Sequence, residues 1–333
     1  MKLAVVVPAR NAERLLADCL AAILRQSRPP DEVLLVIGPS SDRTMEIGRS
    51  LGGSQVLVLE NPAGDRGSAL NAALAHTDAD LVAFVDAQAT LAADYLQAAE
   101  RALDDHAVAV VGGSMRPQGH GTTGEAMASA LRSPFGVGNS QFHFAGTARD
   151  VESVYLGVYR RSVFDRVGRY NSTLLRTEDD DLNARVRAVG LRIRLDPSIR
   201  SVYRCRESLA AIWRQFYGYG FWKLALSLVR PGALRARHFA PAVFVVALVL
   251  TGGAAVAGWW VPLFMLAGAW VLAAAVAALL APADTARARA LFPVVVLTMH
   301  VAYGTGMVIS LLSIWRLRSR IRAGARLAED VAG

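Results

Sequence analysis

Apolar and polar positions alternate on two periods in the first part of the chain and on neither near its end. Leu3–Val7 is a β-rich run. Asn11 reads as a helix cap, followed by Leu15, Leu16, Cys19, Leu20, Ile23 and Leu24 at helical spacing. Pro29-Pro30 ends that helix. Glu32–Ile37 is the next strand, and Ser40, Ser41 and Asp42 cap a helix carrying Met45 and Ile47. Gln55–Leu59 reads as strand, Ser68–Ala75 as helix, Leu81–Val85 as strand, Asp94–Leu103 as helix and Val108–Val111 as strand. Repeated strand–helix units with continuous apolar strands predict an α/β fold whose mostly parallel sheet is covered on both faces.

Residues 112–150 are rich in Gly, Ser and Thr and lack a clear period, which predicts loop plus a short helix lining a cleft. Regularity returns with Val154–Tyr159 as strand, Ser162–Val167 and Glu178–Val189 as helices and Leu191–Leu195 as strand. From Glu207 to Arg230, aromatic and aliphatic residues mix with Arg214, Gln215, Tyr217, Tyr219 and Lys223. That mixture suits a helix lying in a membrane interface, or else a buried amphipathic helix.

The pattern then becomes apolar throughout. No Lys, Arg, Asp or Glu occurs from Phe239 to Ala283 or from Ala290 to Trp315. About 20 such residues span a bilayer as a helix, so spans are expected near 239–258, 260–281 and 291–312. Charge sharpens this reading. The net charge is +8, with Arg230, Arg235 and Arg237 before the apolar region and Arg316, Arg318, Arg320, Arg322 and Arg326 after it. Basic flanks favour the cytoplasmic side and anionic headgroups. Three spans would put the two flanks on opposite faces. One segment is therefore expected to be re-entrant or interfacial, and Pro293, His300 and Gly304-Thr305-Gly306 make 291–312 the candidate.

The clustering of charge at membrane edges argues against a nucleic-acid partner, and too few spans without paired intramembrane charges argue against a transporter. Cys19 and Cys205 form no CxxC pair and suit reduced, buried thiols. Leu3 to Pro8 is too short for a signal peptide and leads into Arg10, so the N-terminal domain is expected in the cytoplasm of a bacterial-type inner membrane.

An α/β sheet binds ligands at the carboxyl ends of its strands. Two segments are expected there, Pro8-Ala9-Arg10-Asn11 and Asp86-Ala87-Gln88. In an extended backbone Asp86 and Gln88 would point the same way and offer oxygens to one cation. Thr177-Glu178-Asp179-Asp180-Asp181 sets four acids at a helix N-terminus, where the dipole favours them. Asp179 is the candidate general base, with Glu178 orienting an acceptor. Arg10, Arg66, Arg160 and Arg161 are candidate phosphate clamps.

Taken in order and spacing, VVVPARNAERLLADCLAAILRQ, NPAGDRGSALNAAL, FVDAQAT, SPFGVGNSQFHF, VYLGVYRRSVFDRVGRYN, TEDDDLNARVRAVG and RQFYGYGFWK resemble the family 2 glycosyltransferases, and within them the ExoA-like branch that builds succinoglycan-type exopolysaccharides. The resemblance implies a GT-A fold with a Rossmann-like nucleotide-binding sheet. It implies donor contacts from Pro8, Arg10, Asn11 and Glu13 in the first loop and from Arg66, Asn71 and Asp86, with Asp86 and Gln88 holding Mg²⁺ or Mn²⁺. Asp179 would be the base of an inverting displacement. Gly157, Gln215 and Tyr219 would fall near the acceptor and diphosphate, the last two where relatives carry QxxRW. The chain departs from the family at Ile37-Gly38-Pro39, where one or two Asp residues are usual, at Gln88 for the last DxD position, and at Gly218 for the QxxRW arginine.

These readings predict a GT-A domain over 1–205, an interfacial segment over 206–237, a transmembrane region of two to three spans over 238–315 and a basic tail over 316–333. The implied activity moves a sugar from a nucleotide-sugar donor to a polyprenyl-linked or glycan acceptor beside membrane lipids. A polyprenyl-phosphate sugar synthase and a non-catalytic membrane subunit of a glycan assembly complex are the alternatives.

Overall fold

The computed structural model describes residues 1–51, 55–138, 143 and 146–319. Arg320, Arg322 and Arg326 of the expected tail, and part of the SPFGVGNSQFHF stretch, lie outside the described residues. The chain divides into two compact units, one formed by Met1–Arg116 with Gln141–Arg204, the other by Pro117–Ser140 with Cys205–Gly333.

The first unit alternates β1 (Leu3–Ala9), α1 (Leu16–Leu24), β2 (Glu32–Ile37), α2 (Thr44–Leu51), β3 (Val56–Glu60), α3 (Arg66–His76), β4 (Leu81–Phe84), β5 (Ala89–Leu91) and α4 (Tyr95–Ala102). It continues with β6 (Val108–Gln118) and, after helices α5 (Gly121–Leu131) and α6 (Pro134–Val137) of the second unit, with β7 (Arg149–Asp150), β8 (Tyr155–Arg160), α7 (Ser162–Val167), α8 (Glu178–Ala188) and β9 (Arg192–Arg204).

Among the described residues the strands run β3-β2-β1-β4-β8-β6-β9-β5, with β7 on β9. The sheet is parallel over β3, β2, β1 and β4. β8 then pairs antiparallel with both β4 and β6. The sheet is thus mixed, and the strand–helix alternation describes only its first half. Alternate residues of each parallel strand feed opposite cores. Leu3, Val5 and Val7 pack with Leu16, Leu20 and Ile23 of α1. Ala4 and Val6 pack on the other face with Leu70 and Leu74 of α3 and with Leu182 and Val186 of α8.

Three expectations are corrected. Asn11 is not a helix cap: α1 begins at Leu16, and Asn11 adopts φ 50, a conformation Asn tolerates well. Residues 112–118 are strand, not loop. Gly113 permits this, because a Cβ there would lie 1.6 Å from the Ile199 carbonyl oxygen of β9. β9 also continues past Leu195 through Asp196-Pro197-Ser198, which reads locally as a turn.

The second unit contains α5, α6, α9 (Leu209–Val229), α10 (Ala240–Val256), α11 (Val261–Leu280) and α12 (Ala286–Leu312). Ser208 caps α9 by accepting from the Ala211 N–H. Three helices among the described residues are long and apolar enough to cross a membrane, over Ala236–Val256, Val261–Leu280 and Ala286–Leu312.

Candidate active site

Parallel strands β1 to β4 bring their following loops to one edge. Arg10, after β1, donates to the carbonyl oxygens of Pro39 at 3.1 Å and Gly64 at 3.2 Å, tying together the loops that follow β1, β2 and β3. The Asn11 Oδ1 accepts from the Ser41 N–H at 2.8 Å, and Glu13 Oε2 accepts from the Arg43 N–H at 3.0 Å. Asp42 takes the Glu13 and Thr44 N–H groups at 3.2 and 3.0 Å. Burial opposes the Asp42 charge, and these hydrogen bonds outweigh it and hold its carboxyl below the usual range. Asp42, expected from sequence to cap the helix that carries Met45, thus also ties this loop to the one after β1.

Arg66, at the start of α3, is the centre of the site. Its Nε lies 3.2 Å from Asp86 Oδ1, and its Nη1 lies 3.0 Å from Glu178 Oε1 and 2.8 Å from Asp179 Oδ2. The segments after β3 and β4 and the start of α8 therefore converge on one guanidinium. Burial disfavours its charge, but Asp179, Asp86 and Glu178 outweigh that and hold it protonated. Glu178 is 4% exposed, and its Oε2 is buried with no hydrogen-bond partner among the described residues. Burial, and then the charge of Asp179, push the Glu178 carboxyl up to about 7 against the pull of Arg66. Asp179 is raised in the same direction, by desolvation first, and its side chain is 43% exposed.

The rest of the acidic run has other work. Asp181 is 1% exposed and accepts from Arg185 at 3.0 Å, while Arg185 also donates to the carbonyls of Gly168 and Arg169. This clasp fixes α8 to the loop that follows α7. Beneath the site Phe84, Tyr159, Phe164 and Tyr170 form an edge-to-face aromatic cluster. Both ends of the Asn71 amide are bonded to the backbone of Tyr170, at 2.8 and 2.9 Å. Asn71 thus holds the floor of the site.

Other candidates stand elsewhere. Arg160 pairs in register with Leu81, at the amino end of β4, and donates to the Val108 carbonyl; Arg161 donates to the Thr77 carbonyl. Both brace backbone at the opposite end of β4 from Asp86, so the structure does not bring them to the cluster. Gly157 lies on β8, where a Cβ would meet the Tyr159 ring at 2.6 Å. Its neighbour Leu156 has φ 50; among the described residues only it and Asn11 are non-glycines at positive φ. Gln215 donates to the Tyr219 hydroxyl at 2.9 Å on α9 of the second unit.

The extended geometry expected at Asp86-Ala87-Gln88 is not found. The chain turns there, with the Ala89 N–H bonded to the Asp86 carbonyl at 2.8 Å. Strand alternation therefore does not align Asp86 with Gln88. No group of three metal-ligating side chains occurs in metal-holding arrangement among the described residues. The cluster nonetheless pairs three carboxylates with one arginine and leaves a buried oxygen orphaned. Such a hard-oxygen, cation-deficient set fits a divalent ion that takes one or two carboxylates and completes its shell from water and substrate phosphates.

The family model described as glycosyl transferase family 2 matches residues 4–168. The succinoglycan biosynthesis protein ExoA of Rhizobium meliloti is 32% identical over 223 residues, which cover 65% of this chain and 67% of that protein. The chain belongs to the family 2 glycosyltransferases. The O-antigen chain rhamnosyltransferase RfbN of Salmonella typhimurium is 23% identical over 209 residues, covering 58% of this chain and 63% of that protein. The chain thus spans about two thirds of these two relatives. Among solved structures, the mannosyltransferase PcManGT from Pyrobaculum calidifontis, in complex with GDP-Man and Mn²⁺, is 21% identical with a TM-score of 0.64, over 93% of this chain and 87% of that one. Membership of the family accounts for the mixed sheet, which is a GT-A fold.

Proposed function

We propose that this glycosyltransferase is an inverting enzyme of the plasma membrane. It moves a sugar from a nucleotide-sugar donor to a lipid-linked or polysaccharide acceptor on the cytoplasmic side, in exopolysaccharide or cell-envelope synthesis. The observation that carries the reading is the convergence of Asp86, Glu178 and Asp179 on Arg66 at the carboxyl edge of the parallel strands.

The chemistry follows from the groups present. The acceptor oxygen attacks the anomeric carbon of the donor, and Asp179 takes the acceptor proton. The bond from that carbon to the diphosphate oxygen breaks on the opposite side, so the configuration inverts. Arg66 offers its guanidinium to the charge that develops on the departing diphosphate. Glu178, almost fully buried beside Asp179, orients the acceptor. Pro8, Arg10, Asn11 and Glu13 shape the nucleotide loop, and Gly157 serves the acceptor side. A Mg²⁺ or Mn²⁺ ion held by Asp86 would supply further neutralisation of the diphosphate.

The test is nucleoside diphosphate release by the detergent-purified full chain with UDP-, GDP- and dTDP-sugars and a polyprenyl lipid extract, in Mg²⁺ or Mn²⁺ and then in EDTA. Release from one donor that falls in EDTA supports the transferase and its cation. Silence across the panel from folded protein would sink the reading in favour of a binding subunit.

A further inference from the structure

The three apolar helices are not alike in what covers them. In their most apolar stretches α10 is 6% buried and α11 17%, whereas α12 is 44% buried against other helices of the same unit. α12 makes its most extensive packing with α9 and its next with α5. The seam with α9 is backbone to backbone. A Cβ on Gly220 would lie 1.9 Å from the Tyr303 carbonyl oxygen, and one on Gly306 would lie 2.1 Å from that of Tyr217. Both covering helices carry charge: Arg214 and Lys223 on α9, Glu125 on α5, and Arg132 at the end of α5.

α12 is pinned at its start beside polar side chains and farther along beside the first turn of α10. At its start, Thr285 donates to Glu125 at 2.6 Å, and Asp284 accepts from Arg132 at 3.2 Å. About 19 residues on, Gly304 abuts the first turn of α10, where a Cβ would meet the Pro241 carbonyl oxygen at 2.2 Å. That turn follows Arg235 and Arg237, with only His238 and Phe239 between. A helix crossing a bilayer would carry one of these points to the far side, about 28 Å away. Here one point sits at Glu125 and Arg132 and the other at the end of α10 that adjoins Arg237, so α12 joins two places suited to the same polar boundary.

The pair α10 and α11 is built the other way. Val243, Val249, Leu250, Phe264, Met265 and Leu272 are all at least 65% exposed. Their 17 and 20 residues reach about 25 and 30 Å, the thickness of the hydrocarbon core. The turn between them, Ala257-Gly258-Trp259-Trp260, has no charge and exposes both tryptophans, the residues that settle at a headgroup boundary. α11 then returns to polar ground, where Arg289 donates to the Leu279 carbonyl at 3.1 Å.

We infer that the chain crosses the bilayer twice, through the α10–α11 hairpin alone, and that α12 lies along the headgroup region on the same face as both basic flanks. This rests on the membrane-anchored reading above and supplies its topology. It also brings Arg235, Arg237, Arg287, Arg289, Arg316 and Arg318 to one surface, as the bias of basic residues toward a single side requires.

The experiment places single cysteines by Ala236→Cys, Ala257→Cys and Ser319→Cys in the full chain and labels intact spheroplasts with a membrane-impermeant maleimide, before and after permeabilisation. Cys19 and Cys205 are 1% and 6% exposed, so the unsubstituted chain serves as the blank. Ala257→Cys should label from outside, and Ala236→Cys and Ser319→Cys only after permeabilisation. External labelling of Ser319→Cys with Ala236→Cys protected would mean three crossings and overturn the inference. Protection of Ala257→Cys would overturn it as well, since the hairpin would not emerge. Extraction of the same membranes with alkaline carbonate separates the two levels. Chain that stays in the pellet with the wrong labelling pattern refutes the topology alone, and chain released into the supernatant refutes membrane anchoring itself.

Discussion

Arg66 meets three carboxylates with a single positive charge, and the imbalance falls on Glu178, the most buried of the three. Its carboxyl rises to about 7 because burial and Asp179 both disfavour ionisation. The consequence for stability has a definite sign. A carboxyl whose folded pKa exceeds its unfolded value of 4.5 holds its proton more tightly in the native state, so native stability falls as pH rises from about 4.5 to about 7. Glu178→Gln removes that titration. The thermal midpoint of the parent chain, measured from pH 5 to 7.5, should decline relative to the variant across this window; parallel curves would show that Glu178 does not titrate there. Arg66 was legible in the sequence as a candidate phosphate contact, Asp86 as a candidate metal ligand, Asp179 as a candidate base and Glu178 as a group orienting the acceptor. Their meeting was not. Arg66 is 112 residues from Glu178 in sequence, and no local period encodes a contact of that range.

The helices and parallel strands of the first unit follow from local patterning, because each buries one stripe or one run against the sheet. Ser162–Val167 was readable to the residue for this reason. β6 and β9 were cut short because Gly112-Gly113 and Asp196-Pro197-Ser198 look like loop by local chemistry and are strand only through pairing at long range. The antiparallel half of the sheet was hidden for the same reason: strand direction is a property of the pair. Among the apolar helices, composition marks all three alike, and only their packing separates them. The α9–α12 seam makes this measurable. Gly306→Ala would force a Cβ to within 2.1 Å of the Tyr217 carbonyl oxygen, and the helices must part. A loss of about 2 kcal/mol is expected, read as a lowered thermal midpoint in detergent. Gly253→Ala on α10, which meets nothing within 4 Å, should leave the midpoint in place. An equal drop in both variants would contradict the packing argument.

At the scale of the whole molecule, the chain joins a GT-A unit carrying the candidate chemistry to a helical unit carrying the apolar surface. Family membership and fold are given by the comparisons, while the roles of individual residues rest on the geometry around Arg66. The central claim is that Asp179 is the general base of the transfer. The most direct measurement is the rate of nucleoside diphosphate release by Asp179→Asn beside the parent chain, at saturating donor and acceptor, with donor affinity and thermal midpoint measured on the same preparations. Asparagine keeps the shape of the side chain and cannot take a proton. The account predicts a fall in kcat of about 10³-fold, with donor affinity little changed, in line with the contribution of a positioned base. Turnover at the parental rate by a folded, donor-binding variant would contradict it and pass the proton to another group.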